Sequence, residues 1–348
     1  MRKAKLKIGV IGLGRIGWNF HCAKLAKHTD FELVGVADPE CDRRAEAERA
    51  YRCAAFADYR PLLKMKGLQA VVIAAPTHFH RSMASAALRN GLHVMLEKPM
   101  AATVRDSEYI VRTARACRRI LTVYQPRRLE AYFQQMRRLI AAGKIGTVYH
   151  VRKGYFQFAR RNDWQSLRKY GGGMLNNYGA HALDQVLQLV GYDVRRVFCN
   201  LRRVASLGDA EDVVKIVIET KKGLIGEIDI NQACAQKLYE MEIIGTTGVI
   251  TLQAGQLHVR RFARSALKPK RLDRKLASAN RQYPSDQITF KDETIPINEQ
   301  FKVDVYRDFA RAIRTGTVPF VDPRETLALM RVMAQCRCNA ERIHCTPL

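Results

Sequence analysis

The sequence has no long apolar run. Its longest uninterrupted apolar stretch is the seven residues 70–76, whereas a membrane-spanning helix needs about 20 apolar residues. The amino terminus is basic and leads directly into a short apolar strand, without the extended apolar segment or cleavage site of a secretory signal. We therefore expect a cytoplasmic protein with no membrane partner.

Cysteine is present but without a disulfide pattern. The nine cysteines are an odd number without regular spacing, so we interpret them as reduced thiols. The nearest approach to a metal-ligand cluster is Cys336, Cys338, His344 and Cys345. Because a C-x-C pair on a predicted helix directs its sulfurs to different faces, we expect no metal site there.

Acidic residues are scarce relative to basic ones. The chain has 59 Lys and Arg against 33 Asp and Glu, a net charge of +26 that is spread over both halves. The densest basic run, 260–281, has nine Lys or Arg and the single acid Asp273. We interpret this run as a solvated loop and expect no nucleic-acid partner, because no aromatic stacking pattern or known nucleic-acid module accompanies it. Attraction of anionic substrates is the use of the charge that we favour.

What remains is ordinary globular composition. A chain of 348 residues corresponds to two domains at about 150 residues each. Hydrophobic residues make up 47% and charged residues 26% of it. These fractions exclude disordered, collagen-like and coiled-coil proteins.

A glycine-rich turn follows the first predicted strand. Residues 12–17 read Gly-Leu-Gly-Arg-Ile-Gly, between a strand at 6–11 and a helix. The next strand, 31–37, leads to Asp38, which lies 21 residues after Gly17. This order and spacing are typical of a dinucleotide-binding unit. The glycines allow a pyrophosphate to approach the helix amino terminus, and the acid accepts hydrogen bonds from a ribose diol.

Strands and helices alternate up to about residue 123. Further strands are predicted at 70–75, 93–96 and 120–124, with helices between them. This alternation predicts an α/β Rossmann domain over 1–123, with a doubly wound parallel sheet. Ligands bind such sheets at the carboxyl ends of the strands. Polar or proline-containing segments follow three of the strands, at 76–78, 97–99 and 125–128.

The pattern changes beyond residue 124. Helices are predicted at 131–142, 176–189, 301–315 and 323–342, and strands at 147–158, 197–203, 212–220, 224–231, 239–245 and 249–252. Strands in series predict an α+β C-terminal domain over 124–348. Its sheet is expected to be largely antiparallel, with helices on one face.

Taken together, these motifs resemble the Gfo/Idh/MocA oxidoreductase family. The resemblance rests on the glycine turn 12–17, Asp38, the tripeptide Glu97-Lys98-Pro99, and the run GGGMLNNYGAHALD at 171–184. It implies a Rossmann domain that binds NAD(H) or NADP(H). It also implies a C-terminal domain that builds the substrate site and usually the oligomer interface, so we expect a homodimer or homotetramer.

The resemblance gives Lys98 a role in polarising a substrate hydroxyl and often places the following proline in a cis bond. From the residues alone, a lysine after a core strand and before a proline is held at a strand mouth, where it can donate to a substrate oxygen. The alternative is a surface lysine paired with Glu97. The nucleotide motif upstream favours the functional interpretation.

Asn177 and His181 are four residues apart and therefore share one helix face. A histidine on an apolar helix face is more often a packed core residue than a catalyst, but the glycine run before this pair lets a ligand approach. The family uses these two positions for proton transfer and often has aspartate at the first. Because Asn177 carries no charge, the pKa of His181 should be lower than beside an aspartate. We predict that His181 accepts the proton, that Asn177 orients, and that Asp184 is structural.

The predicted reaction is reversible hydride transfer between a secondary alcohol of a sugar, cyclitol or related polyol and nicotinamide. Asp38 favours NAD because its charge would repel a 2′-phosphate, whereas Arg43 and Arg44 leave NADP open. The pair Arg127 and Arg128 suits a carboxylate or phosphate and leaves an anionic substrate open. Two alternatives also stay open: a nucleotide-sensing regulatory protein without turnover, and an NAD-assisted glycoside lyase or hydrolase.

The predicted site falls into three groups. The catalytic residues are Lys98, His181 and Asn177. The cofactor-binding residues are Gly12, Leu13, Gly14, Arg15, Ile16, Gly17, Asp38, Arg43, Ala75, Pro76, Thr77, His80, Glu97, Lys98 and Gln125. The substrate-binding residues are Lys98, Arg127, Arg128, Trp164, Asn177, Tyr178 and His181.

Overall fold

The amino-terminal third of the chain forms a parallel six-stranded sheet. The structure is a computed structural model that describes residues 4–272, 274 and 286–344. The strand order is β3-β2-β1-β4-β5-β6, and every neighbouring pair is parallel. The strands are β1 (Leu6–Ile11), β2 (Phe31–Ala37), β3 (Ala54–Phe56), β4 (Ala70–Ile73), β5 (His93–Glu97) and β6 (Leu121–Tyr124). The predicted Rossmann topology is confirmed.

Helices cover both faces of this sheet. They are α1 (Ala23–Leu25), α2 (Cys41–Tyr51), α3 (Tyr59–Leu63), α4 (His80–Arg89) and α5 (Val104–Ala116), with a π-helical segment at Gly17–Cys22 and a 3₁₀ turn at Thr77–Phe79. Because side chains alternate along a strand, Val71 packs with α4 and α5 on one face, whereas Val72 packs with α1 and α2 on the other. The sheet is therefore buried on both sides, as a doubly wound fold requires.

The second sheet has nine strands in the order β14-β13-β12-β11-β7-β10-β9-β8-β15. They are β7 (Val148–Phe156), β8 (Val194–Arg203), β9 (Val213–Thr220), β10 (Ile225–Asn231), β11 (Met241–Gly245), β12 (Gly248–Gln253), β13 (Gln256–Arg261), β14 (Lys291–Pro296) and β15 (Ala340–His344). Only β7–β10 and β8–β15 are parallel pairs among these described strands. The largely antiparallel sheet is thus confirmed.

Some of the helices that follow the first sheet in the chain pack on one face of the second sheet. The remaining helices are α6 (Pro126–Leu129), α7 (Ala131–Ala141), α8 (Ala180–Val190), α9 (Val305–Thr315) and α10 (Pro323–Asn339), with a π-helical segment at Leu175–Gly179 and 3₁₀ turns at Trp164–Ser166, Arg168–Tyr170, Arg264–Ala266 and Glu299–Phe301. Ile216 and Ile228 pack with apolar residues of α8 and α10 in one buried cluster. This packing fixes α8, and with it His181, against the sheet.

Helix α9 belongs spatially to the first sheet, although it follows the predicted boundary at residue 124. Its apolar residues Tyr306 and Phe309 pack in one cluster with Ile8 and Phe31. Helical spacing gives this segment one apolar face, but spacing alone does not say which sheet that face covers. The return of α9 to the first sheet places Tyr306 close to the strand ends.

Several elements differ from the sequence expectations. Strands β3, β13, β14 and β15 were not predicted. The helix expected to run to residue 342 ends at Asn339, where the chain turns into β15 and pairs with β8. Residues 340–344 are extended because they pair with β8, which is distant in sequence. Local propensity alone does not predict such a pairing. No helix in the described ranges has the length and apolarity needed to cross a bilayer. Asp273 and residues 275–281 of the basic run, and Cys345, lie outside the described residues.

Candidate active site

The glycine turn after β1 has the geometry of a phosphate-binding loop. Gly12 has φ +93°, and a Cβ there would lie 2.7 Å from the Ala74 carbonyl oxygen. A Cβ on Gly17 would lie 1.8 Å from the Gly12 carbonyl oxygen. A Cβ on Gly14 would meet no described atom within 4 Å. The outer glycines therefore allow the tight turn, and Gly14 leaves its open side accessible to a pyrophosphate.

Asp38 is fixed at the end of β2. Its side chain is 4% exposed, and Oδ2 accepts a hydrogen bond from the Leu13 N–H at 2.7 Å. Oδ1 accepts from the Glu40 N–H at 3.0 Å, and the Arg43 guanidinium lies 3.6 Å from Oδ2. A carboxylate held here, beside the glycine turn, fits the ribose of a dinucleotide.

One cleft of about 1870 Å³ joins the strand ends of the first sheet to the start of α8. Most predicted site residues line it: Gly12, Gly14, Arg15, Ile16, Asp38, Arg43, Ala75, Pro76, Thr77, Glu97, Lys98, Arg127, Trp164, Asn177 and His181. The structure therefore brings the dinucleotide motif, the lysine and the histidine to a single site. The open glycine turn and the fixed acid fit NAD(P).

Lys98 lies at the centre of this cleft, where the Lys98-Pro99 peptide bond is cis. Its Nζ donates to the Asn177 carbonyl oxygen at 3.1 Å and lies 3.4 Å from Asn177 Oδ1. Burial lowers the pKa of the Lys98 amine, the Glu97 carboxylate raises it, and Arg15 and Arg161 lower it further. The amine therefore gives up its proton at lower pH than an ordinary lysine.

His181 borders the cleft one helical turn beyond Asn177. Burial holds the pKa of His181 well below its usual range, and the positive charges of Lys98 and Arg127 add to this effect. Its Nδ1 is buried and has no hydrogen-bond partner in the described part of the chain. His181 is therefore neutral near pH 7 and able to accept a proton. Burial is the main cause of this lowered pKa. That the uncharged Asn177 leaves the pKa of His181 lower than an aspartate would stays a prediction.

Asn177 orients the lysine rather than the histidine. Its backbone and side-chain oxygens both face Lys98 Nζ, and its Nδ2 donates to Gln165 Oε1 at 3.2 Å. Gln165 and Arg161 were not predicted, although both flank the predicted Trp164. Their closeness in sequence to Trp164 is the signal that could have pointed to them.

Six predicted residues do not line the cleft. Leu13 and Gly17 belong to the glycine turn and shape its backbone. The ring nitrogens of His80 are hydrogen-bonded to the carbonyl oxygens of Ala75, Pro99 and Met100. Gln125 and Arg128 are buried, and the ring of Tyr178 lies 5.1 Å from the Tyr155 ring. His80 and Arg128 are thus held by protein partners, whereas the buried side-chain amide of Gln125 has no hydrogen-bond partner among the described residues.

Arg128 in particular does not face a substrate. Its side chain is 1% exposed, and its Nε donates to Asp184 Oδ2 at 2.9 Å. It also bonds Glu325 of α10 and approaches the Tyr192 hydroxyl at 3.3 Å. Helix geometry turns consecutive side chains apart, so Arg127 enters the cleft while Arg128 ties α6 to α8 and α10. The structural role predicted for Asp184 agrees with this ion pair.

This ion pair makes a testable contribution to stability. Replacing Arg128 with methionine leaves Asp184 buried without its counter-charge, which is expected to cost about 3–5 kcal/mol of unfolding free energy. Chemical denaturation measures the loss, and adding Asp184→Leu should recover most of it. The matched control is Arg324→Met, because the Arg324 side chain is 75% exposed where it pairs with Asp322. An unchanged denaturation midpoint for Arg128→Met would contradict the structural role.

Comparison with known proteins gives the same assignment along the chain. Residues 6–125 match the family model described as the oxidoreductase family with an NAD-binding Rossmann fold, and residues 133–251 match the Gfo/Idh/MocA C-terminal domain. The first match covers all six strands of the first sheet, and the second covers β7 to β11 and most of β12. The cofactor expected from the glycine turn, NAD or NADP, agrees with the first of them.

Relatives of known sequence are distant. An uncharacterized oxidoreductase of Schizosaccharomyces pombe is 29% identical, covering 62% of this chain and 60% of that protein. The dTDP-3,4-didehydro-2,6-dideoxy-alpha-D-glucose 3-reductase of Streptomyces antibioticus is 26% identical over 91% of each chain. The myo-inositol 2-dehydrogenase of Thermotoga maritima is 26% identical, covering 70% of this chain and 74% of that one. The chain spans about 60% of the length of the first curated relatives that it matches.

Solved structures share the whole fold. An NAD-binding protein from Listeria innocua superposes with a TM-score of 0.81 at 24% identity, covering 97% of this chain and 98% of that one. A 3-ketoreductase from Actinomadura kijaniata, in complex with NADP and TDP-benzene, has a TM-score of 0.78 at 20% identity, covering 99% and 100%. At these identities the likeness concerns the fold. With both family domains matched in order, the chain belongs to the Gfo/Idh/MocA oxidoreductase family.

Proposed function

We propose that this protein catalyses hydride transfer between a secondary alcohol of a sugar, cyclitol or related polyol and NAD(P). One observation carries the proposal: Lys98 and His181 line the same cleft as the dinucleotide turn. Relatives that reduce a deoxysugar or oxidise myo-inositol support this substrate class. Simple structural roles for Lys98 and His181 would not require both to face an open cleft.

The chain supplies proton handling, and bound NAD(P) supplies the hydride acceptor at its nicotinamide ring. Oxidation of a carbinol removes a hydride from carbon and a proton from oxygen. Lys98 donates a hydrogen bond to that oxygen and stabilises its developing negative charge. His181, neutral because its pKa is lowered by burial, accepts the proton. Asn177 keeps the Lys98 amine directed into the site.

We propose NAD as the preferred cofactor. Asp38 is held rigidly by two backbone N–H groups, so its charge stays in place and repels a 2′-phosphate. Arg43 is close enough to offset part of this charge, so NADP is the alternative. Fluorescence titration with NADH and NADPH separates the two, and tighter NADPH binding would overturn the preference.

Within this class we favour an anionic sugar as substrate. Arg127 is exposed in the cleft and acts on His181 electrostatically. It has no ion-pair partner among the described residues. A guanidinium free of carboxylates suits a uronate or phosphate on the substrate. Because Arg128 is buried in its ion pair with Asp184, Arg127 is the one arginine of the two that can bind such a group.

The test is a screen of uronates, phosphorylated sugars, neutral sugars and cyclitols, read by the absorbance of reduced nicotinamide. We expect net accumulation of NADH with at least one polyol. Arg127→Met should raise KM for an anionic substrate by about 10- to 100-fold, since hydrogen bonds to charged groups contribute about 1.5–3 kcal/mol. Its KM for a neutral substrate should change little.

The outcomes separate the alternatives. Product formation without net NADH would favour a lyase or hydrolase that uses NAD transiently. Nucleotide binding without turnover of any polyol would favour a regulatory protein. An equal effect of Arg127→Met on anionic and neutral substrates would contradict the anionic class while leaving the hydride transfer standing.

A further inference from the structure

A buried chain of side chains connects Lys98 to helix α9. His21, in the π-helical segment after the glycine turn, is completely buried. Its Nε2 lies 3.0 Å from Glu97 Oε1, and its Nδ1 lies 2.9 Å from the Tyr306 hydroxyl. The other oxygen of Glu97, Oε2, accepts the Lys98 backbone N–H at 3.1 Å. The proposed reaction uses neither His21 nor Tyr306.

The hydrogen bonds that link Tyr306, His21 and Glu97 all donate toward Glu97. An ionised carboxylate only accepts hydrogen bonds, so His21 Nε2–H donates to Glu97. With the ring proton on Nε2, Nδ1 accepts a hydrogen bond from the Tyr306 hydroxyl. The Phe20 carbonyl oxygen, at 3.4 Å from the same hydroxyl, is the more distant acceptor. The ring of Tyr124 packs edge-on against His21, 4.9 Å between centroids, and excludes water from it.

The position of Glu97 matters because of the charges around Lys98. Burial lowers the pKa of Lys98, and Arg15 in the glycine turn and Arg161 after β7 lower it further. His181 of α8 also interacts electrostatically with the amine. Glu97 is the carboxylate that raises this pKa. A glutamate free to rotate away would leave the buried amine among positive charges.

The groups facing Glu97 itself come from several elements. His80 of α4, Tyr124 of β6 and Tyr306 of α9 all interact electrostatically with its carboxylate. His21 is the one among these four that hydrogen-bonds a Glu97 oxygen in the described structure. Removing His21 therefore removes one of two hydrogen bonds to the Glu97 carboxylate, and the bond from the Lys98 backbone N–H remains.

We propose that His21 and Tyr306 are positioning residues, which hold the Glu97 carboxylate in its orientation beside Lys98, with Oε2 on the Lys98 backbone N–H. Helix α9, far along the chain, thereby becomes part of the active site. The proposal rests on the proposed function for the consequence in turnover. The effect on the Lys98 amine itself needs no turnover and is measured separately.

The direct test titrates Lys98 in the full chain without added cofactor. Competitive acetylation as a function of pH, read by peptide mass spectrometry, gives the pKa of the Lys98 amine. His21→Leu, which cannot donate to Glu97, should lower this pKa by about one unit, a tenfold change in the protonated fraction at high pH. His21→Gln retains a donor and should restore most of the wild-type value. Tyr306→Phe should give a smaller fall in the same direction.

The control is Tyr192→Phe, which removes another partly buried hydroxyl whose contacts are to Arg128 and Gln188. It should lower thermal stability without moving the titration of Lys98. In an active enzyme, the alkaline limb of the kcat/KM profile should move to lower pH with His21→Leu, because the positive charge of protonated Lys98 stabilises the developing negative charge on the substrate oxygen.

The results distinguish this inference from the proposed function. A shifted Lys98 titration in a protein that turns over no polyol supports the positioning role and contradicts the reaction. An unshifted titration in both His21→Leu and Tyr306→Phe overturns the positioning role even if the enzyme is active. If His21→Leu does not fold, Tyr306→Phe decides alone, and an unchanged Lys98 pKa overturns the proposal.

Discussion

Replacing His181 with alanine is expected to lower kcat by about 10² to 10⁴-fold, the usual contribution of a positioned general base. The imidazole is neutral near pH 7, the form that can accept the alcohol proton, since burial and the charges of Lys98 and Arg127 lower its pKa. Steady-state kinetics with the substrate found by the screen measures the loss. Binding of NADH should be nearly unchanged.

Two variants sharpen this prediction. His258→Ala removes a histidine of β13 that is hydrogen-bonded to Thr294 of β14 and does not line the cleft. This variant should leave kcat unaltered. Added imidazole should restore part of the activity of His181→Ala, because the space left by the ring opens to the cleft. Turnover of His181→Ala at the wild-type rate would discard the base assignment.

The pH dependence of the pair has a definite sign. Asn177→Asp places a carboxylate beside Lys98 and one turn from His181. A negative charge favours the protonated form of both groups and raises both pKa values. His181 must be neutral to accept a proton, so the acid limb of kcat/KM should move to higher pH. The positive charge of protonated Lys98 stabilises the developing oxyanion, so the alkaline limb should also move to higher pH.

Replacing Lys98 with methionine is expected to lower kcat by about 10² to 10³-fold, as does the loss of one hydrogen-bond donor to a developing oxyanion. The amine is mostly buried and is held toward the cleft by the Asn177 carbonyl oxygen, so it meets the substrate oxygen without reorganisation. Methionine keeps the length of the side chain and removes only its donor and charge. Single-turnover reduction of NAD measures the chemical step.

Lys221→Met is the matched control for Lys98. Lys221 lies on the exposed hairpin between β9 and β10 and pairs with Asp193, which precedes β8. Its replacement should leave kcat and the pH profile unchanged. Unchanged single-turnover rates for Lys98→Met would show that the lysine serves only to bind, and would contradict its role in the reaction.

Local motifs made much of this site predictable. The glycine turn, Asp38 and the Glu97-Lys98-Pro99 tripeptide lie next to strand ends that the sequence identifies by their apolar runs. Parallel strands bring their carboxyl ends to one edge, so residues distant in sequence meet there. The Asn177 and His181 pair could be predicted for a different local reason, because helical spacing places both residues on one face.

Residues whose roles depend on distant partners were not predictable. Arg127 and Arg128 are adjacent and identical in type, and only the position of Asp184 and Glu325 decides that the second is buried. His21 and Tyr306 are separated by 285 residues yet share a hydrogen bond. The packing of α9 on the first sheet creates that contact, and no local pattern encodes which sheet a helix covers.

The central claim is that a dinucleotide, an amine and an imidazole meet in one cleft. A crystal structure of the protein with NAD and a polyol tests it most directly. We predict the pyrophosphate at Gly14 and the nicotinamide ring beside Lys98, with a substrate hydroxyl within hydrogen-bond distance of both Lys98 Nζ and His181. A nicotinamide ring bound away from these two side chains, or a polyol bound outside this cleft, would contradict the account.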